Sequence, residues 1–402
     1  MKTEKPAGQN VGSAQEVFWA FLKLGLTSFG GPIAHLGYFR DELVVRRKWI
    51  SEQGYADIVA LCQFLPGPAS SQVGFALGLM RGGPLGALAA WAGFTLPSAI
   101  LLVVFAMAAN AFDNAIGQAL LHGLKLVAVA VVAQAVWGMS KTLTPDRQRT
   151  AIALAAVVAV TFGGIFGQLA AIVIGALAGL VFCRAPGVQQ GHPISTGISR
   201  TTGVICLAAF LLLLVGLPAI SSATGSHGIA VFDAFYRSGS LVFGGGHVVL
   251  PLLQSEVVQS GWVTESDFLA GYGITQAVPG PLFTFAAYLG AVMGPAPNGI
   301  YGAAICLLGI FLPGLLLLVG ALPFWDALNK LPLAQAAMRG ANAAVVGVLG
   351  AALYNPVWTS AVLSPSDFAL ALIGFIALIV WKVSPWIVVV GMTAGAVLLH
   401  LV

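Results

Sequence analysis

The chain has 402 residues, 58% of them apolar and only 8% charged, with 50 glycines and a net charge of +4. A soluble domain carries roughly a quarter charged residues, so most of this surface cannot face water, which argues against a soluble enzyme. Nucleic-acid binding needs a dense basic face, and the sequence has none. A mean hydropathy of +0.93 with abundant Gly, Ala and Leu fits an all-α polytopic membrane protein, in which small residues let lipid-embedded helices approach closely. The four cysteines, Cys62, Cys183, Cys206 and Cys306, show no CxxC spacing. No disulfide framework, metal site or cofactor is expected from them.

Residues 1–14 are polar and lack a signal-peptide pattern, so a cytoplasmic N-terminus is expected. Apolar segments follow at 15–31, 57–80, 84–109, 117–140, 150–163 and 167–183. A linker, 186–228, contains an apolar stretch at 203–221, and six further segments lie near 230–245, 267–293, 299–321, 333–353, 367–381 and 385–401. A crossing takes about 20 apolar residues, so the segments between 150 and 183 either cross or form a hairpin.

The second six segments repeat the first. Residues 17–31, VFWAFLKLGLTSFGG, return as 231–245, VFDAFYRSGSLVFGG. Trp49-Ile-Ser-Glu52 returns as Trp262-Val-Thr-Glu265, and Gln63-Phe-Leu-Pro-Gly-Pro68 as Gln276-Ala-Val-Pro-Gly-Pro281. Gly93-Phe-Thr-Leu-Pro97 matches Gly309-Ile-Phe-Leu-Pro313, Leu121–Lys125 matches Met338–Asn342, and Ile174–Gly179 matches Val390–Gly395. The offset stays between 213 and 217 throughout, which defines two homologous copies, 15–185 and 229–402. Taken at face value the crossings number six, one and six. An odd linking helix after an even repeat turns the second copy upside down, the inverted repeat of many secondary transporters. With the N-terminus inside, thirteen crossings put Lys2, Lys5, Arg81, Lys141, Arg147, Arg149, Arg184, Arg200, Lys330 and Lys382 in the cytoplasm, as positive charge prefers. The Arg40, Arg46, Arg47 and Lys48 cluster then lies outside, unless the first segment turns back at Phe29-Gly-Gly-Pro32.

Helix breakers recur at matched places. Gly30 and Gly31 before Pro32, and Gly244 and Gly245 before Gly246, interrupt the first segment of each copy. Pro66-Gly67-Pro68 and Pro279-Gly280-Pro281 interrupt the second. Single breakers of this kind usually serve as packing kinks. Four in duplicated pairs point to broken backbone inside the membrane, tolerated only where protein or a wet cavity covers it. Such breaks expose N–H groups at half-helix ends, which attract anions.

Charge supplies the second signal. Lys23 and its repeat partner Arg237 each precede the first Gly of their pair by seven residues. They either reach toward an anion held at the break or snorkel to the headgroups. Gln63 and Gln276 precede the Pro-Gly-Pro motifs, while Ser70 and Thr284 follow them. Lys125, His122, Arg339 and Asn342 form a second matched polar set, and His35 and His247 lie just beyond the Gly-Gly breaks. Hydroxyl and amide donors with one or two cations suit a small hydrated oxyanion. The sequence leaves open whether Glu16, Asp233 or a histidine carries a coupled proton. It contains no Walker motif, so ATP is not the power source on this chain.

The repeated Phe-Gly-Gly, the Gln-x-x-Pro-Gly-Pro and the two-copy layout resemble the chromate ion transporter family in its long, two-domain form. The resemblance covers essentially the full chain. It implies a multi-pass protein of the bacterial inner membrane that exports chromate, with sulfate as analogue, drawing on the membrane potential or a proton gradient. It further implies that Lys23, Gly30, Gly31, Gln63, Pro66, Gly67, Pro68 and Ser70 form one half of a substrate site. Arg237, Gly244, Gly245, Gln276, Pro279, Gly280, Pro281 and Thr284 would form the other. The one departure is Pro32, which becomes Gly246 in the second copy. Oxyanion uptake and a passive anion channel are the competing readings. Lipid is the expected surrounding, and a homodimer is among the assemblies the sequence allows.

Overall fold

A computed structural model describes residues 12–29, 31–108, 114–163, 167–184, 198–243, 246–328 and 331–401. Gly30, Gly244, Gly245, Lys2, Lys5, Lys330 and part of the 186–228 linker lie outside the described residues. Among those described there is no strand. The first half consists of α1 (Ala14–Thr27), α2 (Gly31–Phe39), α3 (Glu52–Phe64), α4 (Ala69–Met107), α5 (Ala115–Leu143), α6 (Arg147–Phe162) and α7 (Gly167–Phe182). Helix α8 (Arg200–Thr224) links it to α9 (His227–Ser240), α10 (Val249–Val257), α11 (Glu265–Thr275), α12 (Phe285–Val292) and α13 (Gly299–Ala321). A short α14 (Trp325–Leu328), α15 (Pro332–Ala352), a short α16 (Thr359–Ala361), α17 (Pro365–Ile379) and α18 (Pro385–Leu401) complete it.

The duplicated motifs become duplicated structure. Trp-x-Ser/Thr-Glu is a helix start: Ser51 Oγ accepts the Gly54 N–H and Thr264 Oγ1 accepts the Asp267 N–H, caps worth about 1 kcal/mol each. The bend in α4 at Gly82–Gly83 (φ +64 at Gly83) separates two arms that correspond to the separate α12 and α13. Close backbone contact recurs too, Gly78 lying on Gly86 in one copy and Gly290 on Gly302 in the other.

The helices differ in length from the thirteen even segments counted in the sequence. Among the described residues five helical stretches are long and apolar enough to cross: 69–107, 115–143, 200–224, 299–324 and 332–361. The first two apolar segments of each copy are instead hairpins whose tips lie at the breaks. Helix α1 has 14 residues, so it rises only ~21 Å against a hydrocarbon core of ~30 Å. Past the break the chain returns to the same level, because Phe39 packs on Phe21 (5.4 Å between ring centroids) and Glu42 Oε2 accepts from Lys23 Nζ at 2.8 Å. Helix α3, the Pro-Gly-Pro tip and the first arm of α4 form the next hairpin. Its ends meet where the Arg81 guanidinium lies 5.3 Å from the Trp49 ring, and Arg81 also binds Glu16 at 3.1 Å. Residues 12–16, 49 and 81 therefore mark one end of the bundle, here the proximal end. Helix α8 starts at that end, with Gly203 against Gly320 and Phe324, and so delivers α9 to the distal end. There His227 packs edge-on against Trp262, and the Gly294 N–H donates to the Trp262 carbonyl.

The two halves exchange a helix each. Helix α5 of the first half lies against α17 and α18 of the second, with Gly123 on Thr393 and Ala396. Helix α15 of the second lies against α6 and α7 of the first, with Gly340 on Gly175 and Gly179. Small residues at matched positions let these backbones touch. Large apolar side chains such as Leu212, Val215, Ile100 and Phe162 face outward, as lipid contact requires. All four cysteines are unpaired.

Candidate functional site

The four hairpin tips meet in the middle of the bundle through a pair of hydrogen bonds exchanged between the halves. The Gly67 N–H donates to the Val242 carbonyl at 2.8 Å, and the Gly280 N–H donates to the Ser28 carbonyl at 3.0 Å. Each Pro-Gly-Pro thus pairs with the Phe-Gly-Gly approach of the opposite copy. Both glycines sit at positive φ, +119 and +106, a region that side chains with a Cβ resist. The proline before each one places the tip, and the proline after it starts the next arm. The described residues beside the Gly-Gly breaks also meet: His247 Nε2 lies 4.0 Å from where a Cβ of Gly31 would stand, and the Pro32 ring lies against Gly246.

Polar side chains collect at these tips. His35, buried on α2, has Nδ1 3.4 Å from Ser70 Oγ and its ring edge-on to Phe94. Gln72 donates through Nε2 to the Pro66 carbonyl at 3.0 Å and to the Gly314 carbonyl at 2.8 Å, joining the first-half tip to α13. Ser98 occupies the matching place beside Gly280. Thr284 Oγ1 donates to the Pro281 carbonyl at 2.7 Å, and His247 Nδ1 meets the Tyr272 hydroxyl at 2.6 Å. Six buried atoms of this region, Ser28 Oγ, His35 Nε2, Ser71 Oγ, Gln72 Oε1, Thr95 Oγ1 and Gln276 Nε2, have no hydrogen-bond partner. Unmade buried hydrogen bonds cost about 1–3 kcal/mol each, so a cluster of them invites explanation. Most carry or can rotate a donor toward a ligand.

Several expected residues stand elsewhere. Gln63 is exposed, whereas its partner Gln276 is half-buried. Lys125 lies on α5 within electrostatic reach of Asp267 and Glu265. Arg339 and Asn342 lie on α15, with Asn342 Oδ1 and Arg339 Nε buried and without a hydrogen-bond partner, and His122 pairs with Asp367 at 2.7 Å.

Lys23 and Arg237, expected to supply free positive charge, are both answered by carboxylates. Glu42 takes Lys23 together with Arg46 at 3.2 Å and Arg47 at 2.9 Å. Arg237 takes Asp233 at 3.1 Å and Glu256 at 2.9 Å. Glu42 and Glu256 were missed in the sequence, although each follows its cation by the same 19 residues. Neither glutamate lies in a membrane-crossing helix. The Lys23 hydrogen bond, helped by Arg47 and Arg46 against the cost of burial, holds the Glu42 carboxyl down at about 2. Burial pushes Glu256 up, with Arg237 opposing and Asp233 reinforcing. The two pairs are alike in place and opposite in electrostatic balance.

Two cavities lie away from the tips. A groove of about 330 Å³ between α6 and α7 is lined by Ala, Ile, Gly and Phe residues with Gln148 at one end, and offers an anion no charge. A polar cavity of about 140 Å³ is bounded by Gln168, Gln254, Ser255, Gln259 and Asn355. No group of three His, Cys, Asp or Glu side chains able to hold a metal ion occurs among the described residues.

No solved structure matches the chain. A chromate transport protein of Pseudomonas aeruginosa is 30% identical over 398 residues, covering 95% of this chain and 91% of its own. One from Cupriavidus metallidurans is 27% identical over 335 residues, 83% of this chain and 80% of its own. An uncharacterised transporter of Methanocaldococcus jannaschii is 26% identical over 337 residues, 82% and 80%. The chromate transporter family model matches twice, over residues 15–181 and 229–398, the two copies found in the sequence. With most of its length matched, and with the repeated breaks meeting at its centre, the chain belongs to the chromate transporter family.

Proposed function

We propose that the chain is a secondary carrier that exports chromate, or a tetrahedral analogue such as sulfate, across the inner membrane by alternating access and so confers chromate resistance. The observation that carries this is the meeting of four broken hairpins, joined by the reciprocal Gly67–Val242 and Gly280–Ser28 hydrogen bonds. In transporters built this way the substrate sits at the midplane between repeats. Gly30, Gly31, Gly244 and Gly245 would present backbone donors there, with His35, Ser28, Ser70, Ser71, Gln276 and Thr284 as side-chain partners. The two Pro-Gly-Pro motifs set the tips. Lys23 and Arg237 sit outside this set, held by their carboxylates. The closed contact of the tips supports a carrier over an open channel.

The same reading makes the second copy, 229–402, an inverted repeat of 15–185. The first copy begins at the proximal end and the second at the distal end, with α8 crossing between them. The hairpins return to their own side, so this parity holds whether or not α6 and α7 cross fully. The arrangement gathers Arg40, Arg46, Arg47, Lys48, Arg81, Lys141, Arg147, Arg149, Arg184, Arg200 and Lys382 at the proximal end. That end is the cytoplasmic one by the positive-inside rule. Single cysteines at Lys48, Arg81 and Lys141 are expected to react with an impermeant maleimide only from the cytoplasmic face, and at Ser260 and Pro297 only from the other. Mixed labelling within either set would undo the topology.

The functional test is chromate flux into proteoliposomes holding the purified chain, with sulfate as competitor. His35→Ala and Gln276→Ala are expected to raise the half-saturation concentration about tenfold or more, since a hydrogen bond to a charged ligand is worth ~1.5–3 kcal/mol. Lys23→Ala should leave that constant within about twofold. Flux of sulfate without chromate would keep the site and change the substrate, and absence of any saturable oxyanion flux would end the reading.

A further inference from the structure

In the duplicated ion pair the two copies carry opposite balances of charge. In the first copy one carboxylate, Glu42, faces three cations, Lys23, Arg46 and Arg47. At the matching positions of the second copy Trp19 has become Asp233, and the Arg46-Arg47-Lys48 run before Trp49 has become Gln259-Ser260-Gly261 before Trp262, while Lys23 and Glu42 persist as Arg237 and Glu256. One guanidinium therefore serves two carboxylates. Its Nε donates to Asp233 Oδ2 at 3.1 Å, and its Nη1 and Nη2 donate to Glu256 Oε1 and Oε2 at 2.9 and 3.1 Å.

We propose that the Asp233–Arg237–Glu256 cluster is the proton-carrying site of the transport cycle, one proton being bound between the two carboxylates and released as the carrier changes state. This rests on the transport reading above and adds the driving ion to it.

With both acids ionised the cluster carries a net negative charge, and Asp233, only 5% exposed, keeps Oδ1 buried with no hydrogen-bond partner. A buried carboxylate oxygen without a donor is costly, and two carboxylates sharing a site force one of them toward its protonated form. A proton placed on either acid removes the excess charge and turns the orphaned oxygen into part of a neutral group. The burial that pushes Glu256 up acts in the same direction.

Among the described residues, the helices packed most closely on α9 supply no second cation. Helix α9 packs on α8, α10 and α13. Helix α13 holds no charged residue, and α10 contributes only Glu256. The single charged residue of α8 is Arg200, ten residues before Phe210, whose carbonyl accepts from the Tyr236 hydroxyl. His227 begins α9 and turns its ring to Trp262, far along the helix from Arg237. A metal ion such as sodium would have to lie against the guanidinium that already holds three of the four carboxylate oxygens, so the cation that fits is a proton. Arg237 and Glu256 retain side-chain exposures of 39% and 26%, so the cluster is open on one side.

The test compares wild type, Asp233→Asn and Glu256→Gln in proteoliposomes. Oxyanion exchange without any gradient should stay within about twofold, while accumulation driven by a pH gradient should fall tenfold or more in each variant. Asp233→Glu, which restores an acid, should recover part of the driven accumulation. A substrate-free arm uses pH-difference infrared spectroscopy of the same proteins in detergent. Wild type should show a protonated-carboxyl C=O band that fades as the pH is raised and that both neutral variants lose. Driven accumulation that survives in both variants, a band indifferent to both, or accumulation in wild type driven by sodium instead of protons would each overturn the proposal. Absence of all oxyanion flux in wild type would end the transport reading, and the infrared band would still decide whether the cluster holds a proton.

Discussion

Valine at Gly67 or at Gly280 is expected to lower oxyanion flux at least tenfold while the protein is still delivered to the membrane. Both positions hold φ above +100, where a β-branched residue pays about 1–3 kcal/mol. Space is also short. A Cβ at Gly280 would stand 2.9 Å from Ser98 Oγ and 3.3 Å from the Phe94 carbonyl oxygen, and one at Gly67 would stand 3.0 Å from Gly314 Cα. The tip relieves this by rotating, which withdraws its N–H from the carbonyl of the opposite copy. Because the two bonds are exchanged, damage at either tip disturbs both halves of the site. Initial-rate flux in proteoliposomes reads the effect. The control is Gly37→Ala, at an exposed position with nothing within 4 Å of the added Cβ. Equal flux in Gly280→Val and Gly37→Ala would mean that the tips do not shape the site.

The larger loss of stability belongs to Gly340→Leu. A Cβ there would lie 2.1 Å from the Gly175 carbonyl oxygen and 2.6 Å from Gly179 Cα, so the clash is with backbone and has no side chain to absorb it. Helix α15 must move off α7, and overpacking of this kind costs about 3 kcal/mol. Size-exclusion chromatography in detergent should lose the monodisperse peak, with a thermal midpoint lower by about 5 °C or more. Gly350→Leu, on the same helix but facing open space, should behave as wild type. Equal behaviour of the two would mean that α15 and α7 are not held in this register.

Much of this architecture could be read from residue order. The offset motifs reveal two copies, Ser51 and Thr264 mark helix starts, and the four breakers mark the tips. What hydropathy hides is the hairpin. Segment 57–80 looks like one apolar run, yet it is the end of α3, a Pro-Gly-Pro turn and the start of α4. A window that sums both arms cannot tell a crossing from a return. The partners of Lys23 and Arg237 were obscured for the same reason, since 19 residues of separation mean little until the chain is known to double back. The exchange of α5 and α15 was not legible at all. Both helices are rich in Ala, Val and Gly on every side, so no stripe names the neighbour. Among the polar side chains gathered at the tips, the hydroxyls and amides beside the breaks were visible as motifs. Ser98 and Thr95 were not, because they reach the tips from the middle of α4.

That exchange has a consequence for how the chain is made. Helix α5 leaves the ribosome early, but the surfaces that cover it, α17 and α18, are the last to emerge. Helix α6 and α7 likewise wait for α15. For most of its synthesis the first copy sits in the bilayer with its seams facing lipid or an insertion factor, and neither copy finishes its core alone. Assembly is therefore a late, whole-chain event: a nascent chain stalled before α17 is a ready substrate for membrane proteases.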